Sequence, residues 1–287
     1  MARIIGAVTT SHVPAIGNAI ARGLTQDPYW RPFFEGFRGV HAWLSEARPD
    51  VVIVFYNDHG LNFFLDRMPT FAIGAAPEYH YADEGWGIPA MFPPFAGDPE
   101  LSWHLIESLV REEFDMTSCQ EMQVDHAFAV PMALLWPGAA AWPVRTVPIA
   151  INTVQHPLPS AARCFKLGQA VGRALESYAP DLRVLVLGTG GLSHQLEGRR
   201  AGFINREFDL LCMDRLVQDP HALTAYSTAE LVQIAGSQGV ELLNWIAARG
   251  SLTGRVSRVH SHYYVPISNT ASGIMVLQND PTQLRAA

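Results

Sequence analysis

Hydrophobic positions along this chain fall into two kinds of run, and the two alternate. Arg3 to Val8 is a short apolar stretch that predicts a strand; it gives way to Thr-Thr-Ser-His-Val-Pro, the composition of a turn. Between Tyr29 and Ala47 the apolar residues Trp30, Phe33, Phe34, Phe37, Val40 and Leu44 recur at helical spacing, with Pro32 in the first turn. Asp50 to Tyr56, reading DVVIVFY, is a nearly continuous β-branched and aromatic run. It predicts a buried strand, ended by the polar Asn57-Asp58-His59-Gly60. Thr70–Ile73 predicts another short strand. Helices are predicted over Leu101–Phe114, introduced by Asp98-Pro99-Glu100, and over Ser160–Tyr178, with Ser160 as its N-cap. Val144–Ile151 and Leu182–Leu187 predict strands, the second running into Gly188-Thr189-Gly190-Gly191. Helices over Ala201–Val217 and Gly236–Arg249 follow, with Gly250 as the residue just past the last one. Strands over Val256–Val265 and Gly273–Leu277 close the pattern. Residues 74–97, rich in Gly, Pro and aromatics, show no period, and a loop of that length is usually functional or a contact surface.

Strands alternating with helices place the chain in the α/β class. The expectation is a single domain over residues 1–287, a central sheet flanked by helices, with strand order and direction left open. No internal repeat or low-complexity tract interrupts it.

Composition adds to this picture at few points. Charged residues make up only 16% of the 287, against roughly 25% in a typical soluble domain. Such a deficit fits a large core, or a surface hidden against a partner. Twenty Lys and Arg against 27 Asp and Glu give a net charge of -7, the wrong sign for a protein that grips a nucleic-acid backbone. Cys119, Cys164 and Cys212 share no close spacing, so neither a zinc cluster nor a disulfide framework is indicated. There is no apolar run of about 18 residues and no signal-peptide pattern at the start, so a cytoplasmic location is expected.

The candidate chemistry sits at strand ends. His12 follows the first strand, His59 the DVVIVFY strand and His194 the glycine-rich turn, while His126 stands in Val-Asp-His before an apolar segment. In open α/β sheets, ligands gather where strands end. Glu241 lies in GVELLNWIA, apolar almost all round and hence expected to be buried. A buried carboxylate must be protonated, paired with a cation such as an arginine, or bound to a metal. Two histidines with one carboxylate form the facial triad of non-haem Fe(II) oxygenases, which leaves positions open for a diol and for O2. The Gly188–Gly191 turn lacks the full spacing of a nucleotide-binding loop. The Ser193-His194 pair suggests a hydrolase, but it has no Gly-x-Ser-x-Gly elbow around it.

Taken in order, TSHVPAIG (Ser11, His12), FYNDH (His59), TFAIG and ADEGWG, VDH (His126), GTGGLSHQL (His194), GVEL (Glu241) and PISNTA (Ser268, Asn269) span nearly the whole chain. Together they resemble the class III extradiol ring-cleavage dioxygenases, in particular the catalytic β subunit of protocatechuate 4,5-dioxygenase. The resemblance implies that His12, His59 and Glu241 hold Fe(II) and that His194 is the acid–base residue beside the substrate hydroxyl. It makes His126 a second polar group over the oxygen side, and Ser268 and Asn269 the holders of the ring carboxylate. It implies a separate small α subunit that covers the site, hence a homo- or hetero-oligomer, because the chain stops at Ala287 without the C-terminal lid that gallate dioxygenases carry fused.

The implied reaction is 4,5 cleavage of protocatechuate to 4-carboxy-2-hydroxymuconate semialdehyde. Three departures bear on the substrate: Ala127-Phe128 after VDH, Ile88-Pro89-Ala90-Met91-Phe92-Pro93-Pro94 after ADEGWG, and Gln238 before GVEL. Gallate or a methylated gallate is the alternative substrate. A zinc hydrolase and a non-enzymatic relative on the same fold are the remaining alternatives. Tyr79, Tyr81 and Trp86 are candidates for the pocket wall, a subunit contact or aromatic core.

Overall fold

The computed structural model describes residues 1–85, 88 and 92–280, and of Pro266 the backbone alone. The first half of the chain gives β1 (Arg3–Thr10), α1 (Pro14–Ala21), α2 (Arg31–Glu35), α3 (Arg38–Ala47), β2 (Val51–Tyr56), β3 (Phe71–Gly74), β4 (Glu78–Tyr81), β5 (Phe95–Ala96), α4 (Pro99–Arg111), β6 (Thr117–Cys119), β7 (Gln123–Val124) and α5 (His126–Leu135). The second half gives β8 (Arg145–Ile151), α6 (Ala161–Glu176), β9 (Arg183–Thr189), α7 (Arg206–Gln218), α8 (Pro220–Thr224), α9 (Thr228–Ala235), α10 (Leu242–Gly250), β10 (Val256–Ile267) and β11 (Thr270–Asn279).

Eight strands form the central mixed sheet in the order β10-β11-β1-β9-β2-β8-β3-β6. Its middle, β1, β9, β2 and β8, is parallel. β11 lies antiparallel on β1 and pairs with β10 as a hairpin, while β3 runs antiparallel to β8. Helices cover both faces, which explains why β2 has no polar side. Val51, Ile53 and Phe55 pack into a core shared with α4, α6, α7 and α10, and Val52, Val54 and Tyr56 into one shared with α1, α3 and α5. Burying each such side chain fully contributes about 1.5–3 kcal/mol, so the parallel strands form the rigid floor of the molecule.

The expected α/β architecture is present, with local corrections that have physical causes. The helix expected over Tyr29–Ala47 is two helices. At the break the Gly36 carbonyl accepts from the His260 ring at 2.6 Å, and a Cβ on Gly36 would lie 2.3 Å from the His262 ring, so β10 presses on the chain there. Ser160 caps α6 as expected, its Oγ accepting from Arg163 N at 3.2 Å. Gly250 is not the residue just past the last helix but the last residue within it. It is glycine because a Cβ would sit 2.3 Å from the Phe165 carbonyl where α10 crosses α6. The segment expected as one helix from Gly236 opens with a 3-10 turn, Gly239–Glu241. α7 begins at Arg206, capped by Asn205, rather than at Ala201. Residues 74–97 contribute β4 and β5 to a small second sheet, β5-β4-β7, whose strands are too short to show a period. α5 escapes the periodicity because all ten of its residues are buried. Among the described residues no helix is long and apolar enough to cross a membrane. Cys119, Cys164 and Cys212 are free thiols.

Candidate metal centre and active site

The parallel strands end along one edge of the sheet, and the loops leaving them carry the expected histidines: His12 after β1, His194 after β9 and His59 after β2. α5 opens with His126, the segment after β8 brings Thr153, and the β10–β11 turn brings Ser268 and Thr270. With Glu241 these side chains line one cavity of about 550 Å³.

Glu241 is the hub. Its Oε2 lies 3.3 Å from His12 Nε2 and 3.8 Å from His194 Nε2, and its Oε1 lies 3.5 Å from His59 Nε2. Asn57 Nδ2 donates to Oε1 at 3.3 Å and Gly191 N to Oε2 at 3.1 Å. Among the described residues no Lys or Arg lines the cavity, so the buried carboxylate is not neutralised by an arginine. The Gly188–Gly191 turn is shaped by this packing and not by a phosphate: a Cβ at Gly190, where φ is +100°, would fall 2.7 Å from Glu241 Cβ.

Every histidine in the cavity has its Nδ1 tied down and its Nε2 turned inward or toward a neighbour. Thr189 Oγ1 meets His12 Nδ1 at 3.1 Å, and Asp125 Oδ2 accepts from both the main-chain N and Nδ1 of His59 at 2.9 Å each. Glu84 accepts from His126 N and Nδ1, both at 2.7 Å. His194 Nδ1 meets the Leu192 carbonyl at 2.9 Å. A carbonyl only accepts, so the hydrogen of the neutral His194 ring is on Nδ1 and the lone pair on Nε2. The same logic makes Nε2 the acceptor atom of a neutral His59 ring, where it takes a hydrogen bond from Asn57 Nδ2 at 3.1 Å beside Glu241.

The electrostatics follow. Burial opposes the charge of Glu241, but His12, His59 and His194 together hold its carboxyl well below the usual range. Burial likewise opposes the charge of Asp125, and the hydrogen bonds and charge of His59 outweigh it and pull Asp125 down to about 2. For His59, burial disfavours the cation, yet Asp125 and Glu241 together push it up to about 10. Burial lowers His12, with Glu241 acting the other way.

This donor set fits a metal ion. Two imidazole Nε2 atoms and a carboxylate converge, each imidazole is oriented through its far nitrogen, and among the described residues that line the cavity the carboxylate meets no cation other than histidine. His12, His59 and His126 also offer ring nitrogens within 4.8 Å of one another, so His126 belongs to the same cluster.

Residues 6–275 match the family described as the catalytic LigB subunit of aromatic ring-opening dioxygenase. The chain belongs to this family. Metal dependence comes with this ring-opening dioxygenase family, and the cluster above offers donor atoms for an ion. A gallate dioxygenase of Pseudomonas putida is 44% identical over 205 residues, 71% of this chain and 60% of that enzyme, so the chain spans about 60% of that relative's length. A 2,3-dihydroxyphenylpropionate/2,3-dihydroxicinnamic acid 1,2-dioxygenase of Photorhabdus laumondii is 27% identical over 97% of this chain and 98% of its own. The fold is shared with an uncharacterized protein of Escherichia coli K12, with a TM-score of 0.59 and 14% identity over 96% of this chain and all of the other.

Of the residues expected at the site, His12, His59, His126, His194, Glu241 and Ser268 are brought together in this one cavity; Asn269 is not among its lining residues. Ser268 and Asn269 form the tip of the β10–β11 hairpin, with φ of 49° and 61°, as a tight two-residue hairpin turn requires. Asn269 is exposed there, its side chain toward Gly202. Tyr79 is fully buried core and Tyr81 packs against that core; Trp86 lies outside the described residues. Ser193 is no hydrolase nucleophile, since its Oγ donates to Asp209 rather than to a histidine.

Reading the sequence missed the residues that hold the histidines: Thr189, Asn57, Asp125, Glu84 and also Asn244, whose amide donates to Asn57 Oδ1 at 3.0 Å. Asn57, Glu84 and Asp125 stood inside the motifs FYNDH, ADEGWG and VDH, but their partners are fixed only by the fold.

Proposed function

We propose that this chain opens the ring of gallate, a trihydroxylated benzoate, with Fe(II) held by His12, His59 and Glu241. The observation that carries the metal assignment is the carboxylate of Glu241 placed between two oriented imidazole nitrogens, with no arginine or lysine among the described residues that line the cavity. The substrate class is supported by the gallate dioxygenase relative and favours gallate over protocatechuate. Fe(II) would chelate the vicinal diol and supply the electron transfer that lets O2 react with the ring.

The chain's own residues do the rest. In its unprotonated form His194 takes a hydroxyl proton of the diol at Nε2 and can return it during cleavage, because its Nδ1–H is committed to the Leu192 carbonyl. His126, anchored by Glu84, lines the same cavity beside His59, their ring centroids 4.3 Å apart, and offers Nε2 to the oxygen side. The Ser268 hydroxyl anchors the ring carboxylate, with Asn269 beside it at the hairpin tip. The net charge of -7 gives no long-range help in drawing an anion, so these local donors and the metal must do so.

Ring opening beside the chelated pair consumes one O2. Gallate then gives a tricarboxylate, because both carbons of the cleaved bond already carry oxygen, whereas protocatechuate gives a semialdehyde. A covering lid, on a separate α subunit or a further segment, would close over the rim, where Val154 and Leu196 are 50% and 51% exposed. The test is oxygen uptake by the protein loaded anaerobically with Fe(II), offered gallate, protocatechuate or 3-O-methylgallate. Uptake fastest with gallate and an aldehyde-free product support the proposal. Preference for another substrate overturns the gallate assignment, and no uptake with any of them overturns the ring-opening activity.

A further inference from the structure

Ser193, which a hydrolase would have used, has no task in ring opening, yet each of its polar groups is committed. Its N–H donates to Asp209 Oδ1 at 2.8 Å and its hydroxyl to Asp209 Oδ2 at 2.7 Å. The hydroxyl oxygen accepts from Asn205 N at 2.7 Å, and the Ser193 carbonyl accepts from Ala271 N at 3.1 Å. Tyr263 OH donates a further bond to Asp209 Oδ2 at 2.8 Å. Asp209 comes from α7, is 1% exposed, and does not line the cavity. A carboxylate this buried persists only with donors arranged around it, and here two of the three donors belong to the neighbour of His194.

His194 is held in the same fashion. Its N–H donates to the Ala235 carbonyl at 2.8 Å, and Leu192 N donates to the Ala271 carbonyl at 2.9 Å. The tripeptide Leu192-Ser193-His194 is therefore clamped to β11, α9 and α7. The first two clamps are main-chain bonds that any sequence could supply; the third is the Asp209 side chain.

We infer that Asp209 is a positioning residue for His194, fixing through Ser193 where the imidazole Nε2 stands relative to the substrate hydroxyl. The inference rests on the reading of His194 as the proton-transfer residue.

The test is steady-state oxygen uptake with gallate by Fe(II)-loaded D209N, S193A, Y263F and the D209N/S193A double variant, with iron content measured on each sample. D209N is expected to lose about 10–100-fold in kcat with KM moved by less than about threefold and iron content unchanged, because misplacing a reacting group by about 1 Å has effects of this size. Y263F, which removes one donor, moves kcat the same way by about 2–10-fold, and the double variant loses no more than the worse single variant because the two residues act along one path. A D209N kcat within about twofold of the parent, a kcat loss matched by iron loss, or losses that multiply in the double variant overturns the inference. If D209N does not fold, Y263F and S193A carry the test by the same criterion. H194A run alongside separates the two levels. Full turnover in H194A brings down the reading of His194 itself, while a dead H194A with D209N like the parent brings down only the role of Asp209.

Discussion

Asp125→Asn is the sharpest perturbation of the site that leaves the cavity lining untouched. Asp125 Oδ2 takes the main-chain N and Nδ1 of His59, and Oδ1 takes Ala127 N at 3.0 Å as the N-cap of α5. An asparagine has one oxygen and can serve only one side. If the oxygen faces His59, the cap is lost and an NH2 meets the Ala127 N–H; losing such a cap destabilises by about 0.5–2 kcal/mol. If it faces Ala127, two part-buried donors of His59 lose their acceptor, at about 1–3 kcal/mol at most. Either way the unfolding free energy of the metal-free protein falls by about 1–3 kcal/mol, and metal affinity falls by about 10–100-fold because the orienting partner of a ligand is neutralised or removed.

The perturbation also has a pH signature. Asp125 is held at about 2 in the folded protein against an ordinary 3.8. A depressed carboxyl stabilises the fold above the unfolded value, and that contribution disappears as pH falls through the folded one. The stability difference between parent and D125N should therefore be full at neutral pH and shrink between about pH 4 and 2. Denaturant unfolding of metal-free protein at several pH values, with anaerobic chelator competition for Fe(II), reads both effects. A variant within about 0.5 kcal/mol of the parent in stability and about twofold in metal affinity would refute the clamp.

The other predictions concern single roles. His194→Ala should keep its iron and bind substrate while kcat falls about 10²–10⁴-fold, the range of a lost general base; loss of iron in this variant would contradict its placement outside the ligand set. Ser268→Ala should raise KM for gallate about tenfold or more, as expected for a hydrogen bond to a charged group, and leave KM for carboxylate-free pyrogallol unchanged; equal effects on both would exclude carboxylate anchoring. Thr189→Val removes the partner of His12 Nδ1 and should weaken Fe(II) binding about tenfold with little change in kcat of the loaded enzyme; unchanged affinity would mean that His12 is oriented by packing alone.

Much of this molecule was legible as sequence because its chemistry and its periodicity coincide. The parallel strands are short apolar runs, and each ends in the polar residue that the fold uses, so His12, His59 and His194 could be placed before the strand order was known. Glu241 was legible for the opposite reason, as a charge inside a helix segment with no polar face. What stayed hidden depends on distance along the chain. Glu84 reaches His126, Asp209 reaches Ser193 and Thr189 reaches His12 only after the sheet has assembled, and no local pattern marks such a pairing. α5 stayed hidden because burial on every side removes periodicity. Gly250 misled for a related reason: the usual meaning of a glycine at a helix end gave way to the close crossing of α10 on α6, where any side chain would strike the Phe165 carbonyl.

The account stands or falls on which side chains hold the metal. The cavity offers two overlapping sets, His12 and His59 with Glu241, or the same two histidines with His126. The direct measurement is the Fe(II)-to-protein ratio of Glu241→Ala and His126→Ala after anaerobic loading and removal of loosely bound ion. Glu241→Ala should come out empty and inactive, and His126→Ala should stay loaded. A loaded Glu241→Ala beside an empty His126→Ala would contradict the assignment and move the centre to the three histidines.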